Sequence, residues 1–232
     1  MFLIKKIYLC INYKILTLAE ENYLKAIYHL EQQLKNSVST NALAEEIQTK
    51  ASSVTDMLKK LADKGYADYI KYQGVNLTQK GKQVAIGIIR KHRLWEVFLV
   101  EKLNFKWDEV HEVAEDLEHI QSQKLIDQLD AFLEYPTHDP HGDPIPDKDG
   151  KFKQIEKILL SQAIVGNKYQ CVGVKDTSSA FLKYLDANAI ALGTKIVLLH
   201  KEPFDQSIKI ELNGIEITVS QNVAKNLFLK TL

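Results

Sequence analysis

Four of the chain's five prolines fall within one eleven-residue run, PTHDPHGDPIP, at residues 136–146. Proline fixes φ and lacks a backbone N–H, so neither a helix nor a central strand can pass through this run. We therefore interpret residues 135–150 as an ordered turn and linker at a domain boundary. A chain of 232 residues is long enough for one large domain or for two or three small ones, each with its own core.

Composition excludes several classes of protein. No run approaches the roughly 20 apolar residues that a membrane-spanning helix needs, so we expect no membrane partner. The two cysteines, Cys10 and Cys171, form no C-x-x-C motif, which argues against a disulfide framework or a thiolate zinc site. The apolar residues 1–16 are interrupted by lysines and lack the small-residue cleavage site of a signal peptide, so they remain an unexplained extension. These features predict a cytoplasmic protein.

The formal net charge of zero conceals two segments of opposite sign. Residues 50–93 hold ten lysines and arginines against three aspartates, a net charge of +7. Residues 94–149 hold fifteen acidic residues against four lysines, a net charge of −11. The first segment suits an anionic partner, and the second either faces water or surrounds cations.

The N-terminal third carries the pattern of a winged helix-turn-helix. Start and stop signals predict three helices, the last of which ends at Gly65. Two β-rich runs follow on either side of Gln73-Gly74 and predict a hairpin. Three helices followed by a hairpin make a winged helix-turn-helix. The predicted helix starts are Thr17, then Ser39 or Thr40, then Ala51-Ser52-Ser53.

The remainder of the chain divides into helices and strands. Residues 82–102 and 107–133 have helical periodicity, and their apolar faces could pair in a homodimer. Beyond the proline-rich run, alternating segments and the hairpin signal Asn213-Gly214 predict a small β-barrel. We predict a mainly α fold with a small β part. Its domains are an N-terminal extension (1–16), a winged helix-turn-helix (17–86), a helical domain (87–150) and a C-terminal β-barrel (151–232).

A group of histidines and glutamates in the second long helical segment is the strongest candidate for metal binding. Its members fall within about one third of a helix circumference. No Lys or Arg occurs between Trp107 and Gln123, so like charges meet at i,i+3 and i,i+4 spacing, and a bound cation would relieve their repulsion. The alternative is an acidic helix face exposed to solvent. The group consists of His111, Glu115, Glu118 and His119.

Two further groups contain similar side chains. His92 and Glu96 are spaced i,i+4, which alone is common in surface ion pairs. Together with the acidic helix they offer imidazole and carboxylate donors without thiolate, a set that suits Mn²⁺ or Fe²⁺. The third group lies in the proline-rich run, where turns are sufficient to explain it. It comprises His138, Asp139, His141 and Asp143.

The second helix of the helix-turn-helix is the candidate DNA-binding element. Its hydroxyls and lysines could contact base edges and phosphates, and the wing could reach the adjacent backbone. The alternative is an amphipathic helix with a solvated lysine face, but the charge of the segment favours phosphate contact. The candidate DNA-binding residues are Ser52, Ser53, Thr55, Lys59, Lys60 and Lys71.

Five segments carry a resemblance to a known family: ENYLKAIY (21–28), SSVT (52–55), LTQKG (77–81), RKHRLWE (90–96), and His111 with EDLEH (115–119). They are similar to the diphtheria toxin repressor family of metal-dependent transcriptional regulators, and within it to the manganese-type regulators. The resemblance covers nearly all of the chain after Thr17. It implies a DNA-binding winged helix, a helical domain for metal binding and dimerisation, and an SH3-like (FeoA-like) C-terminal domain.

The resemblance also implies two metal sites, with some departures in this chain. Manganese regulators usually carry Asp where this chain has Asn22, and some carry Glu where it has Lys25. Iron-type members carry Cys at the position of Glu115, so a carboxylate there points to Mn²⁺ or leaves Mn²⁺ and Fe²⁺ both open. Asp176 is the nearest candidate for a further ligand from the SH3-like domain. The implied primary set is Asn22, Glu115, Glu118 and His119, and the second set is His92, Glu96 and His111.

The implied function is metal-dependent repression of metal-uptake genes. A homodimer would place two recognition helices on the half-sites of a palindromic operator in double-stranded DNA, and metal would shift the population toward the DNA-competent state. A helix-bundle carboxylate metalloenzyme is one alternative, but it needs ligands on several helices, whereas two carry them, and residues 111–115 do not form H-E-x-x-H. We therefore expect no enzymatic activity. A DNA-binding regulator without metal response is the other alternative.

Overall fold

The computed structural model describes residues 16–34 and 36–232, and the chain divides into two compact units at residues 85 and 86. The extension predicted at residues 1–16 lies outside the described residues, apart from Leu16. The helices are α1 Leu18–Leu34, α2 Thr40–Glu46, α3 Ala51–Asp63, α4 Gln79–Leu103, α5 Val110–Leu117, α6 Gln123–Phe132, α7 Ser179–Ala187 and α8 Gln221–Ala224. The strands are β1 Ala67–Ile70, β2 Gly74–Leu77, β3 Ile158–Leu159, β4 Lys168–Val174, β5 Lys195–Lys201, β6 Ile208–Leu212, β7 Ile215–Val219 and β8 Leu227–Thr231.

Helix α1 begins at a reciprocal capping box. The backbone N–H of Glu20 donates to Thr17 Oγ1 at 3.3 Å, and the backbone N–H of Thr17 donates to Glu20 Oε2 at 2.9 Å. Two backbone donors that have no intrahelical partner are thereby satisfied. Lys64 Nζ lies 2.5 Å from Glu20 Oε1, so the same carboxylate also connects the start of α1 to the end of α3.

The predicted winged helix-turn-helix is confirmed. Helices α2 and α3 are separated by a short turn, and α3 buries Val54, Leu58 and Leu61 against the core of the unit. Strands β1 and β2 pair antiparallel to form the wing. The wing lies against the segment before α2, because Gly74, at φ +106°, has no side chain. A Cβ there would come within 2.7 Å of the Val38 carbonyl oxygen.

The second unit begins with the remainder of α4, followed by α5 and α6 around a shared apolar core. The single helix predicted for residues 107–133 is wrong, since the structure has two helices with a turn between them. The backbone N–H of Glu118 donates to the Ala114 carbonyl as the last helical bond. Ser122 then caps α6, because its hydroxyl accepts from the Leu125 N–H at 3.3 Å. A hydroxyl at this position competes with continuation of the first helix.

The C-terminal β-domain, residues 158–231, contains a six-stranded antiparallel sheet. Its strand order is β3-β8-β4-β5-β6-β7, and helix α7 contributes buried side chains to the same core. Asn213 and Gly214 connect β6 to β7 with φ values of +51° and +84°, as a type I′ turn requires. The predicted hairpin and the predicted small β-domain are both confirmed.

The proline-rich run forms ordered turns, as predicted, and contacts β4. The backbone N–H of Val174 donates to the His141 carbonyl at 2.9 Å. Gly142 lies so close to β4 that a Cβ would collide with the Val172 carbonyl oxygen. Among the described residues, no helix has the length and apolarity needed to cross a bilayer.

Candidate metal centre

His92 lies between two buried glutamates in the second unit. Its Nδ1 is 2.6 Å from Glu118 Oε2, and its Nε2 is 3.0 Å from Glu96 Oε1. The i,i+4 spacing of His92 and Glu96 on α4 places both on one helix face. Glu118 is 0% exposed and Glu96 is 2% exposed. Carboxylates buried to this degree need compensating charge or hydrogen bonds, and imidazoles supply them here.

Three overlapping clusters hold donor atoms that lie within 4.8 Å of one another. Two of them consist entirely of residues predicted from the sequence. His119 lies beside the cluster that contains Glu118, with its Nε2 3.8 Å from Glu118 Oε1. All donors are carboxylate oxygens or imidazole nitrogens, so the residues fit a divalent cation with a preference for such ligands. The clusters are His92, Glu96 and His111; His92, Glu115 and Glu118; and Glu96, Asp139 and His141.

The third cluster draws two residues from the proline-rich run. His141 Nδ1 lies 3.6 Å from Glu96 Oε1, and both side chains are buried. The carboxylate of Asp139 accepts from the backbone N–H groups of His141 and Asp143, and Arg93 Nε lies 3.4 Å from its other oxygen. Turn formation therefore does not fully explain this run. The sequence pattern that marks these residues is the repeated Asp-Pro with a histidine between the two copies. The contacts that they make with α4 are not predictable from that pattern and are seen only in the structure.

The buried cluster shifts the pKa values of its members. Burial alone would raise the pKa of Glu96, but hydrogen bonds from His111, His141 and His92 outweigh it and hold the pKa well below its ordinary value. Burial opposes the charged form of His141, yet contact with Glu96 and the charge of Asp139 raise its pKa to about 9. Burial and the nearby Glu96 charge raise the pKa of Asp139 to about 7. Metal binding at the His141 imidazole would therefore release a proton.

Comparison with known proteins identifies the domains. Residues 16–75 match the family model described as "Iron dependent repressor, N-terminal DNA binding domain". Residues 78–147 match "Iron dependent repressor, metal binding and dimerisation domain", and residues 158–231 match "FeoA domain".

Individual relatives agree with the domain matches. An uncharacterised HTH-type transcriptional regulator of Methanocaldococcus jannaschii is 38% identical over 114 residues, which are 49% of this chain and 91% of the relative. The HTH-type transcriptional regulator MntR of Oceanobacillus iheyensis is 32% identical over 139 residues, 60% of this chain and 87% of the relative. A solved structure titled "Manganese-dependent transcriptional repressor complex with manganese" has a TM-score of 0.81 at 33% identity and covers 92% of this chain and 100% of its own.

The chain belongs to the iron-dependent repressor family. Its members are DNA-binding transcriptional regulators, and the metalloenzyme alternative is therefore discarded. The predicted resemblance to the diphtheria toxin repressor family is confirmed, and so is the predicted absence of enzymatic activity.

The DNA-binding unit of the repressor presents the predicted residues on α3 and the wing. Four of the predicted residues on α3 are exposed: Ser52, Ser53, Lys59 and Lys60. Thr55 is half-buried, and its hydroxyl donates to the Ala51 carbonyl at 3.0 Å. Lys59 Nζ lies 3.4 Å from Asp56 Oδ1, an exposed pair of little energetic weight. Lys71 is exposed at the wing tip, with its Nζ 4.9 Å from the ring centre of Tyr72.

Three predicted metal ligands lie outside the three clusters: Asn22, Asp176 and His119, the last of which lies beside the cluster that contains Glu118. Asn22 is on α1 in the first unit, and its Oδ1 is buried without a hydrogen-bond partner among the described residues. A buried amide oxygen in this state is costly unless something else binds it. Asp176 is in the loop before α7, where its Oδ1 accepts from the Ser178 N–H at 2.8 Å. Asn22 keeps an open acceptor, whereas Asp176 uses one oxygen to form a local turn.

Proposed function

We propose that this protein is a Mn²⁺- or Fe²⁺-dependent transcriptional repressor that acts in the cytoplasm on genes of metal uptake. The observation that carries the proposal is the group of buried carboxylates and imidazoles around Glu96 and Glu118. A protein that used these side chains only for stability would gain little from burying them, because desolvation of charges offsets their mutual attraction. A divalent cation accounts for their convergence.

The chemistry of the donors supports Mn²⁺ and Fe²⁺. Carboxylate and imidazole are the donors in all three clusters, and no thiolate belongs to them within the described residues. Cys171 is buried in the core of the C-terminal β-domain, where burial raises its thiol pKa to about 11. Cys171 belongs to none of the three clusters. Hard donors suit Mn²⁺ and Fe²⁺, although intrinsic affinity rises toward Cu²⁺.

The predicted ligand sets stay proposals. We propose Asn22, Glu115, Glu118 and His119 as the primary set and His92, Glu96 and His111 as the second. The bound ion supplies positive charge that neutralises the buried carboxylates. His92 contacts Glu118 as well as Glu96, so its imidazole nitrogens connect residues assigned to the two sets.

The proposed DNA target is a palindromic operator bound by a homodimer. The family's dimerisation domain matches residues 78–147, and a two-fold dimer presents two copies of α3 to two half-sites. A metal that binds the DNA-competent state more tightly than the other states shifts the population toward it.

The test of this function compares DNA binding by the metal-free and metal-loaded protein. Mn²⁺, Fe²⁺ and Zn²⁺ are each titrated by calorimetry, and DNA affinity is measured with each ion at constant salt. We expect Mn²⁺ or Fe²⁺ to raise DNA affinity by about 5- to 150-fold, the usual range of allosteric coupling. If no ion changes DNA affinity, the protein is a DNA-binding regulator without metal response, and the proposal is wrong.

Replacing Lys59 and Lys60 together with alanine should weaken binding to every DNA sequence. Both ammonium groups are exposed on α3, where contact with phosphate releases counterions. The slope of log affinity against log salt should fall by about 2, roughly one unit for each lost contact. Lys225→Ala together with Lys230→Ala, exposed lysines of the C-terminal β-domain, serves as the control and should leave the slope unchanged. An unchanged slope in the α3 variant would place the phosphate contacts elsewhere.

A further inference from the structure

The segment immediately before α5 is held by helix α7 of the C-terminal β-domain. The indole Nε1 of Trp107 donates to Asp186 Oδ2 at 3.1 Å. The neighbouring Asp108 accepts from the Ser179 hydroxyl at 3.1 Å, and Lys183 Nζ lies 3.4 Å from the same carboxylate oxygen. The Asp108 side chain is only 2% exposed. Two adjacent residues thus make polar contacts with one helix.

Trp107 also contacts His141, through its backbone carbonyl and its ring. The Trp107 carbonyl oxygen lies 2.8 Å from His141 Nε2, and the two rings are stacked with centres 6.4 Å apart and planes 13° apart. A carbonyl oxygen can only accept, so Nε2 is the donor. The nitrogen that faces Glu96 is therefore Nδ1, at 3.6 Å from Oε1. Trp107 determines which imidazole nitrogen points into the Glu96, Asp139 and His141 cluster.

The C-terminal β-domain therefore holds His141 from two directions. Strand β4 fixes its backbone, since the Val174 N–H donates to the His141 carbonyl. Helix α7 fixes its side chain through Asp186 and Trp107, and Trp107 also packs on the core of this domain. The hydrogen-bond partners that orient a ligating imidazole strongly affect metal affinity.

We propose that Trp107 and Asp186 are positioning residues through which the C-terminal β-domain sets the metal affinity of the Glu96, Asp139 and His141 cluster. This inference rests on one part of the proposed function, namely that the cluster binds a divalent cation. The domain acts on this cluster through Trp107, whose side chain contacts α7 and whose backbone carbonyl contacts the His141 imidazole.

The test is calorimetric titration of the full-length protein with Mn²⁺ alone, comparing the parent with Asp186→Leu, His141→Ala and the double variant. Asp186→Leu should weaken the Mn²⁺ affinity of the cluster by about tenfold. His141→Ala should remove that binding event. Asp186→Leu should have no further effect in the His141→Ala background, because a residue that acts through His141 is silent without it. Asp186→Asn keeps an oxygen acceptor for the indole and should restore most of the affinity.

The control is Glu216→Leu, which removes an exposed carboxylate of the same domain that pairs with Lys209. It should bind Mn²⁺ like the parent. If thermal unfolding shows that Asp186→Leu does not fold, Trp107→Phe replaces it, since it lacks the indole N–H and keeps the backbone carbonyl. The inference would be overturned if Asp186→Leu bound Mn²⁺ as tightly as the parent does. It would also be overturned if Asp186→Leu reduced Mn²⁺ affinity equally in the parent and in the His141→Ala background. If His141→Ala leaves Mn²⁺ binding unchanged while Mn²⁺ still activates DNA binding, the inference is wrong and the proposed function stands.

Discussion

Replacing Glu115 or His119 with alanine should abolish the activation of DNA binding by Mn²⁺. Glu115 belongs to a cluster with His92 and the fully buried Glu118, and His119 lies beside that cluster. Loss of one carboxylate or imidazole removes a donor and leaves the remaining donors unable to hold the ion in the same geometry. The DNA affinity of each variant in the presence of Mn²⁺ should fall to the metal-free level. The variant would thus lose the entire increase in DNA affinity that Mn²⁺ gives the parent.

The measurement is DNA affinity with and without saturating Mn²⁺, together with the thermal stability of each metal-free variant. The metal-free fold should persist, because removing Glu115 also removes part of the carboxylate repulsion. Glu112→Ala is the matched control, since Glu112 is an exposed residue of the same helix and belongs to none of the three clusters. His111→Ala should have a smaller effect than either ligand variant if its set is the supporting one. A Glu115 variant that responds to Mn²⁺ like the parent would eliminate the proposed primary set.

Replacing Phe132 with aspartate should convert the homodimer into a monomer. Phe132 is 61% exposed near the end of α6, and Leu125, seven residues earlier on the same helix face, is 41% exposed. Phe98 of α4 lies beside Phe132, with ring centres 6.3 Å apart. Exposed apolar side chains on the dimerisation domain are suited to a partner copy, and a buried unpaired carboxylate there would cost several kcal/mol.

Sedimentation at micromolar concentration measures the change in oligomeric state, and DNA titration measures its consequence. A monomer engages one half-site, so affinity for a two-half-site operator should fall by roughly 100-fold or more. Phe204→Asp is the matched control, because Phe204 is 95% exposed in the C-terminal β-domain. It should remain dimeric. If the Phe132 variant is dimeric, or the parent is monomeric, the α6 face is not the interface.

Local signals were sufficient to predict most of the elements of this protein. The reciprocal contact of Thr17 and Glu20, the Ser39 cap and the Asn213-Gly214 turn each depend on residues no more than three positions apart. Such short-range preferences do not require knowledge of the rest of the chain. The i,i+4 spacing of His92 and Glu96 likewise places two candidate ligands together on any helix that contains them.

Where local signals compete, the sequence was less informative. Periodicity continues from α5 into α6, and the pattern alone predicted one helix over residues 107–133. In the structure, the Ser122 cap begins a new helix, and Glu118 becomes the end of the first. A cap and a continuing helix are close in free energy, so packing decides between them.

The residue types alone establish which kinds of donors are available, because carboxylate and imidazole chemistry is the same wherever the chain places these side chains. Folding brings Asp139 and His141, which are more than forty residues from Glu96 along the chain, into a cluster with it. Folding also places Trp107 in contact with His141, and Asp186 in contact with Trp107. Contacts of this kind depend on how a turn-rich segment, a helix and a β-domain pack together. Sequence periodicity reports local secondary structure and does not predict such long-range packing.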